Sequence, residues 1–254
     1  INYTMFNKNK KKELKYTTTD GFPGDGDWID DCKFTRRFDE ADIIVFPGGQ
    51  DCSPSLYGEK SGIHTQIGSN IVSDSATREI HFYHKATTAK KFLVGICKGE
   101  QMLTILNGGK LVQHMRHPGG HTCKTWDGQT CWTNSLHHQL AYPWDIPKED
   151  WELTMWTEGL SNTYLNGDDK EIEFSLDAFT DEGLIIEPEG LWFPKARSFL
   201  MQWHPEMMGY SRGWGWNFNN NEDVHTLDYT NKLLLNVFEN PNYIKEQKLI
   251  LQNN

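Results

Sequence analysis

The chain has 254 residues and a formal net charge of −10, with 35 acidic side chains against 25 basic ones. That length can bury a sizeable core, and the acidic balance argues against a nucleic-acid or anionic-membrane surface. No apolar stretch approaches the roughly 20 residues that span a bilayer, and nothing at the N-terminus reads as a secretory signal. In chain order, the basic run Lys8 to Lys15 reads as a solvated helix face or loop. Asp20 to Asp31, crowded with glycine, proline and aspartate, reads as loop. Ala41 to Phe46 is an apolar strand that opens into Pro47-Gly48-Gly49. Asp74 to Ala89 is a helix, with Asp74 and Ser75 as candidate N-caps. Lys91 to Ile96 has the β-branched, apolar character of a buried strand. Lys98 to Leu106 is a helix stopped by Asn107-Gly108-Gly109. Lys110 to His114, Trp151 to Trp156, Ile172 to Leu176 and Gly183 to Glu187 read as further strands. Leu227 to Phe238 is an amphipathic helix, with Leu227, Leu234, Leu235 and Phe238 able to face a sheet. Strands alternating with helices predict a three-layer α/β sandwich around a mixed, mostly parallel sheet. No linker interrupts the chain, so residues 1–254 are expected to form a single domain.

Cys97 falls on the sharp turn between the strand and the helix, flanked by Gly95 and Gly99. Such a turn is the thiol counterpart of a nucleophile elbow, and a helix N-terminus lowers a thiol pKa. Free cysteine is also among the most buried residue types, so the local pattern alone leaves a core thiol as an equal alternative. A second feature separates them. A cysteine nucleophile needs a base, and the base needs a group to orient it. His204 follows the strand-like run Phe199-Leu200-Met201-Gln202-Trp203. Glu206, two positions on, projects to the same face of an extended segment and can hold the imidazole.

Gly95-x-Cys97-x-Gly99-x-Gln101, followed by Gln202-Trp203-His204-Pro205-Glu206, resembles the class I (triad) glutamine amidotransferases, whose fold is flavodoxin-like. Phe46-Pro47-Gly48-Gly49-Gln50-Asp51, then Pro54, Tyr57 and Gly58, is similar to the oxyanion-loop segment of the γ-glutamyl hydrolase (peptidase C26-like) branch. Asn134-Ser135-Leu136-His137-His138-Gln139 is similar to the glutamyl-pocket segment of that branch, and Gly108 to Gln113 to the turn and strand after the nucleophile helix. The resemblance covers about 41–206, with a helix at 227–240 beyond it.

The resemblance implies a triad of Cys97, His204 and Glu206. It implies an oxyanion hole of the Gly49 and Lys98 backbone N–H groups, with Gly48 nearby. Gln101, Ser135, Leu136 and His137 are the implied substrate contacts, with His121 a further candidate. The reaction implied is cysteine-dependent hydrolysis of a γ-glutamyl amide, from glutamine or a γ-glutamyl amine, through a thioester and without a cofactor. The alternatives are a glutaminase subunit feeding ammonia to a separate synthetase partner, and a non-catalytic binding module. Cysteine-elbow chaperones and peptidases of similar fold commonly place a histidine after the cysteine, where this chain has Lys98.

The chain departs from relatives in two places. Before the first apolar strand there is little room for two β-α units. The aromatic, glycine-rich stretch 207–226 is an insert that could form a lid, a pocket wall, a docking surface or a self-packed loop. His114, His117, His121 and Cys123 match no zinc spacing, and Pro118-Gly119-Gly120 implies a loop, so no metal is expected. Five cysteines are an odd number, which favours free thiols in the cytoplasm over a Cys123–Cys131 disulfide. Cys52, beside the oxyanion loop, reads as a modest oxidation liability.

Overall fold

The computed structural model describes residues 13–67, 72–116, 119–170, 185–208 and 221–253. Among them the strands are β1 (Leu14–Thr18), β2 (Cys32–Phe34), β3 (Ile43–Phe46), β4 (Phe92–Ile96), β5 (Lys110–Val112), β6 (His114–Met115) and β7 (His121–Thr125). They continue with β8 (Thr130–Thr133), β9 (Leu140–Tyr142), β10 (Glu152–Glu158), β11 (Tyr164–Leu165), β12 (Ile186–Phe193) and β13 (Ser198–Met201). The helices are α1 (Asp74–Thr88), α2 (Lys98–Leu106), α3 (Asn221–Glu239) and α4 (Tyr243–Gln252).

The apolar runs of β3, β4 and β13 are continuous because the sheet is covered on both faces. Ile43, Val45, Phe92, Val94, Ile96, Phe199 and Met201 join one core cluster with Tyr229, Leu233, Leu234 and Val237 of α3. The alternate residues Ile44, Phe46, Leu93 and Leu200 join a second cluster with Ala86 of α1 and Leu103 of α2. A period of two along each strand thus feeds two cores, which makes the three expected layers.

The main sheet runs β2-β1-β3-β4-β13-β12-β10-β7-β8. Neighbours from β2 to β13 are parallel, and those from β13 to β8 antiparallel. Parallel pairing is confined to one half, so the sheet is less dominantly parallel than the sequence implies. That half carries the site. Phe46 of β3 pairs with Gly95 of β4, and Met201 of β13 with Ile96, so three carboxyl ends meet where such sheets bind ligands.

Several expectations are corrected. Leu14 and Lys15 open β1 rather than a helix face or loop, because Tyr16 to Thr18 are buried and Lys15 pairs with Glu40 at 3.0 Å. β1 and β2 are parallel but joined without a helix; the aspartate-rich loop between them holds only a short 3-10 turn, Pro23–Gly26. The N-cap of α1 is Ser73, whose side chain accepts from Ala76 N. His121 begins a strand, not a loop, with Cys123 and Thr125 facing inward. The strand read at Gly183 to Glu187 runs from Ile186 to Phe193. Ile172 to Leu176, and 209–220 of the insert, lie outside the described residues.

Candidate active site

Cys97 adopts φ 50° and ψ −108° between β4 and α2, a conformation that a non-glycine residue holds only when its surroundings impose it. Here they do. Cys97 N donates to Met201 O at 2.8 Å. A Cβ on Gly99 would sit 2.0 Å from Phe46 O, and one on Gly95 would sit 2.8 Å from the Gly99 and Glu100 backbone. Only glycine lets the elbow fold this tightly.

β13 carries the chain from Met201 to His204, so the imidazole arrives beside β4. His204 Nδ1 lies 2.6 Å from Glu206 Oε1. Burial pulls the His204 pKa down, but hydrogen bonds with Cys97 and Glu206 outweigh it and raise it to about 10. The imidazole is therefore the cationic partner of the elbow through the neutral range. Cys97, His204 and Glu206 stand together.

The Gly48-Gly49 loop packs directly on this pair. A Cβ on Gly48 would meet His204 Cε1 at 2.7 Å, and one on Gly49 would meet Lys98 Cδ at 3.9 Å. Lys98 turns its side chain away from solvent into a buried ion pair with Glu79 of α1. Burial pushes the Glu79 carboxyl up, and the Lys98 ammonium pulls it back only in part.

The implied substrate residues divide. Gln101 is buried and donates to Gln139 O and Gln202 Oε1, each at 3.2 Å. Ser135 is half-buried and Leu136 is exposed. The His137 side chain is turned inward, with Nδ1 2.8 Å from Gln139 O. His121 and His137 both face Glu189 Oε1, at 3.3 and 3.8 Å.

The sequence assigned no role to several further residues at the site. Asn134 clamps the backbone of His204 from both sides, accepting from its N at 2.8 Å and donating to its O at 2.9 Å. Asp51 accepts from Gln66 N at 2.8 Å and pairs with His138 at 3.2 Å, which ties the Gly48-Gly49 loop to the 134–139 segment. Asp25, in the aspartate-rich loop, lies within the field of Glu206 and His204. Burial raises its pKa to about 7, helped by Asp20 and Glu206. Glu100, one turn into α2, is fully buried, and its carboxyl is pushed far up by burial, Glu189 and Cys97. Asn134 was visible in its motif; Asp25 and Glu100 carried no local signal. Cys52 is corrected: it is fully buried, and burial pushes its thiol up to about 12, so it is protected rather than oxidation-prone.

Residues 29–143 match the Peptidase C26 family model. Over that stretch the chain is similar to Peptidase C26. The matched stretch includes Cys97, the Gly48-Gly49 loop and the 134–139 segment, and it ends before His204. Protein NtpR of Enterococcus hirae is 28% identical over 183 residues, 66% of this chain and 68% of that protein. A glutamine amidotransferase-like protein, YvdE, of Lactococcus lactis is 27% identical over 175 residues, 65% of this chain and 66% of that one. The chain thus spans about two thirds of the length of these relatives. A solved glutamine amidotransferase from Thermotoga maritima superposes with a TM-score of 0.48 and 12% identity, over 77% of each chain. No helix among the described residues is long and apolar enough to cross a membrane.

Proposed function

We propose that the protein hydrolyses the γ-amide of a glutamyl group, in glutamine or a γ-glutamyl amine, with Cys97 as nucleophile. The observation that carries this reading is the strained Cys97 elbow set beside the His204–Glu206 pair at 2.6 Å. An amide is a poor electrophile, so neutral hydrolysis needs an activated nucleophile and oxyanion stabilisation. Cys97 Sγ, as thiolate, attacks the γ-carbonyl carbon and its π electrons move to oxygen. Backbone N–H groups of Gly49 and Lys98, with Gly48 beside them, hold that oxyanion. His204 gives its proton to the leaving nitrogen, the C–N bond breaks, and ammonia or amine departs from a γ-glutamyl thioester. His204 then takes a proton from water, the hydroxide attacks the thioester, and glutamate leaves as the thiolate reforms. Glu206 keeps the imidazole in its working tautomer and stabilises the imidazolium. Gln101 and the Ser135-Leu136-His137 backbone form the glutamyl pocket, with Gln101 acting through its bonds to Gln139 and Gln202. The whole cycle belongs to one domain and requires no cofactor.

The test is glutamate release by the purified protein from glutamine and a panel of γ-glutamyl amines, beside Cys97→Ala. Cys97-dependent turnover is expected, and the best amine names the substrate. Turnover that survives Cys97→Ala would refute the reading. Negligible turnover with glutamine-dependent labelling of Cys97 would move the protein to the alternative, a glutaminase subunit whose ammonia goes to a synthetase partner.

A further inference from the structure

Outside the triad, the metal-ligand atoms that gather among the described residues are those of His121, Cys123 and Glu189, all within 4.8 Å of one another. His121 and Cys123 alternate along β7 and so share a face. Glu189 comes from β12, and it is fully buried, as is Cys123. The His137 side chain is 2% exposed and brings Nε2 to 3.8 Å from Glu189 Oε1.

The hydrogen bonds orient these rings as ligands. His121 Nδ1 faces Gly119 O at 3.2 Å, and His137 Nδ1 faces Gln139 O at 2.8 Å. A carbonyl only accepts, so each Nδ1 carries a ring proton and each Nε2 turns inward toward the Glu189 carboxylate. Burial pulls the His121 pKa down, but its hydrogen bond with Glu189 raises it overall, and Thr133 Oγ1 lies 3.4 Å from His121 Nε2. A divalent cation would take the place of the proton held between the imidazole and the carboxylate. A backbone carbonyl that fixes the far nitrogen is also what holds a metal-ligating histidine in place.

We propose that His121, Cys123, Glu189 and His137 form a closed, four-ligand site for a zinc-like divalent transition metal. Two imidazole nitrogens, a thiolate and a carboxylate suit zinc and not the all-oxygen preference of magnesium or calcium. Ligand atoms on a tetrahedral zinc are about 3.3–3.6 Å apart. The His121–Glu189 distance of 3.3 Å already fits, and His137 at 3.8 Å needs only a small closure. Cys123 Sγ, within 4.8 Å of the His121 and Glu189 ligand atoms, needs to move toward them by little more than about 1 Å to reach that spacing. With four protein ligands the metal has no open position, so its role is structural. It braces the 134–139 segment, whose Asn134 clamps His204, against β7 and β12. Metal binding at this site does not depend on the chemistry of Cys97.

The experiment uses the full chain carrying Cys97→Ala, so that the elbow thiol holds no metal. After chelation and reconstitution with Zn²⁺, elemental analysis is expected to find a single zinc per chain that survives dialysis. Titration with Co²⁺ is expected to give the intense visible bands of a tetrahedral site and a thiolate-to-cobalt charge-transfer band. Adding Cys123→Ser removes that charge-transfer band and weakens Zn²⁺ binding by at least about 10–100-fold, the scale seen even for outer-shell changes. If Cys123→Ser fails to fold by circular dichroism, His121→Gln gives the same loss with the thiol intact. Substoichiometric zinc in the Cys97→Ala protein, or equal zinc retention by Cys123→Ser and its parent, overturns the proposal. So does a cobalt spectrum without thiolate ligation; His121 and His137 would then be protonated partners of Glu189.

Discussion

Gly48→Ala is the sharpest perturbation of the site that leaves every proposed catalytic atom in place. The added Cβ would lie 2.7 Å from His204 Cε1, whereas carbon atoms settle at about 3.5–4.0 Å. The imidazole must therefore retreat by about 1 Å, and a misplacement of that size costs about 100-fold in rate, or about 2.7 kcal/mol of barrier. Gly49→Ala is the matched control. Its Cβ meets Lys98 Cδ at 3.9 Å, an ordinary contact, and the backbone N–H survives. Steady-state glutamate release should show kcat/KM falling about 100-fold in Gly48→Ala and only a few-fold in Gly49→Ala, with both melting close to the parent. Full activity in Gly48→Ala, or equal losses in the two variants, would refute the placement of His204 against this loop.

Three further outcomes follow from buried charge. Because His204 titrates near 10 in the folded chain, above its ordinary value of about 6.5, its contribution to stability is complete below about pH 6.5. It fades as pH rises through 10. Glu206→Gln should lower the His204 pKa read by NMR of the imidazole proton, and its stability deficit should be present at neutral pH and vanish above pH 10. Lys98→Met leaves Glu79 buried without its partner and should cost about 3–5 kcal/mol in denaturant unfolding, with Glu79→Gln added to it restoring most of the loss. Asp25, raised to about 7, favours the fold below about pH 3.8 and loses that contribution as pH rises through 7. Asp25→Asn should therefore match the parent near pH 3.8 and melt a few degrees higher at pH 8.

The elbow was legible because its constraints are local. Gly95 and Gly99 are close in sequence to Cys97, and the apolar run before them has the signature of a doubly covered strand. The approach of His204 was legible only through its neighbour Glu206, since the β4–β13 pairing joins residues far apart in the chain. The same distance hid Asp25 and Glu100, whose partners lie in other elements. Glu189 was hidden twice over, because Pro188 beside it argues against a strand interior and its partners sit on β7 and after β8. The β7–β8 hairpin carried a signal that went unread. Asp127-Gly128 is a strong turn dipeptide, and Gly128 takes φ 80°, but Pro118-Gly119-Gly120 just upstream pointed to loop. β1 was masked by the lysines before it, although Tyr16-Thr17-Thr18 has strand character.

The most direct test of Cys97 as the nucleophile is peptide mass mapping of protein acid-quenched during turnover of its best γ-glutamyl substrate. A γ-glutamyl adduct on the peptide holding Cys97, absent from Cys97→Ala, is the predicted result. An adduct on Cys32, Cys52, Cys123 or Cys131 instead, or turnover with no adduct at Cys97 at any quench time, would contradict it.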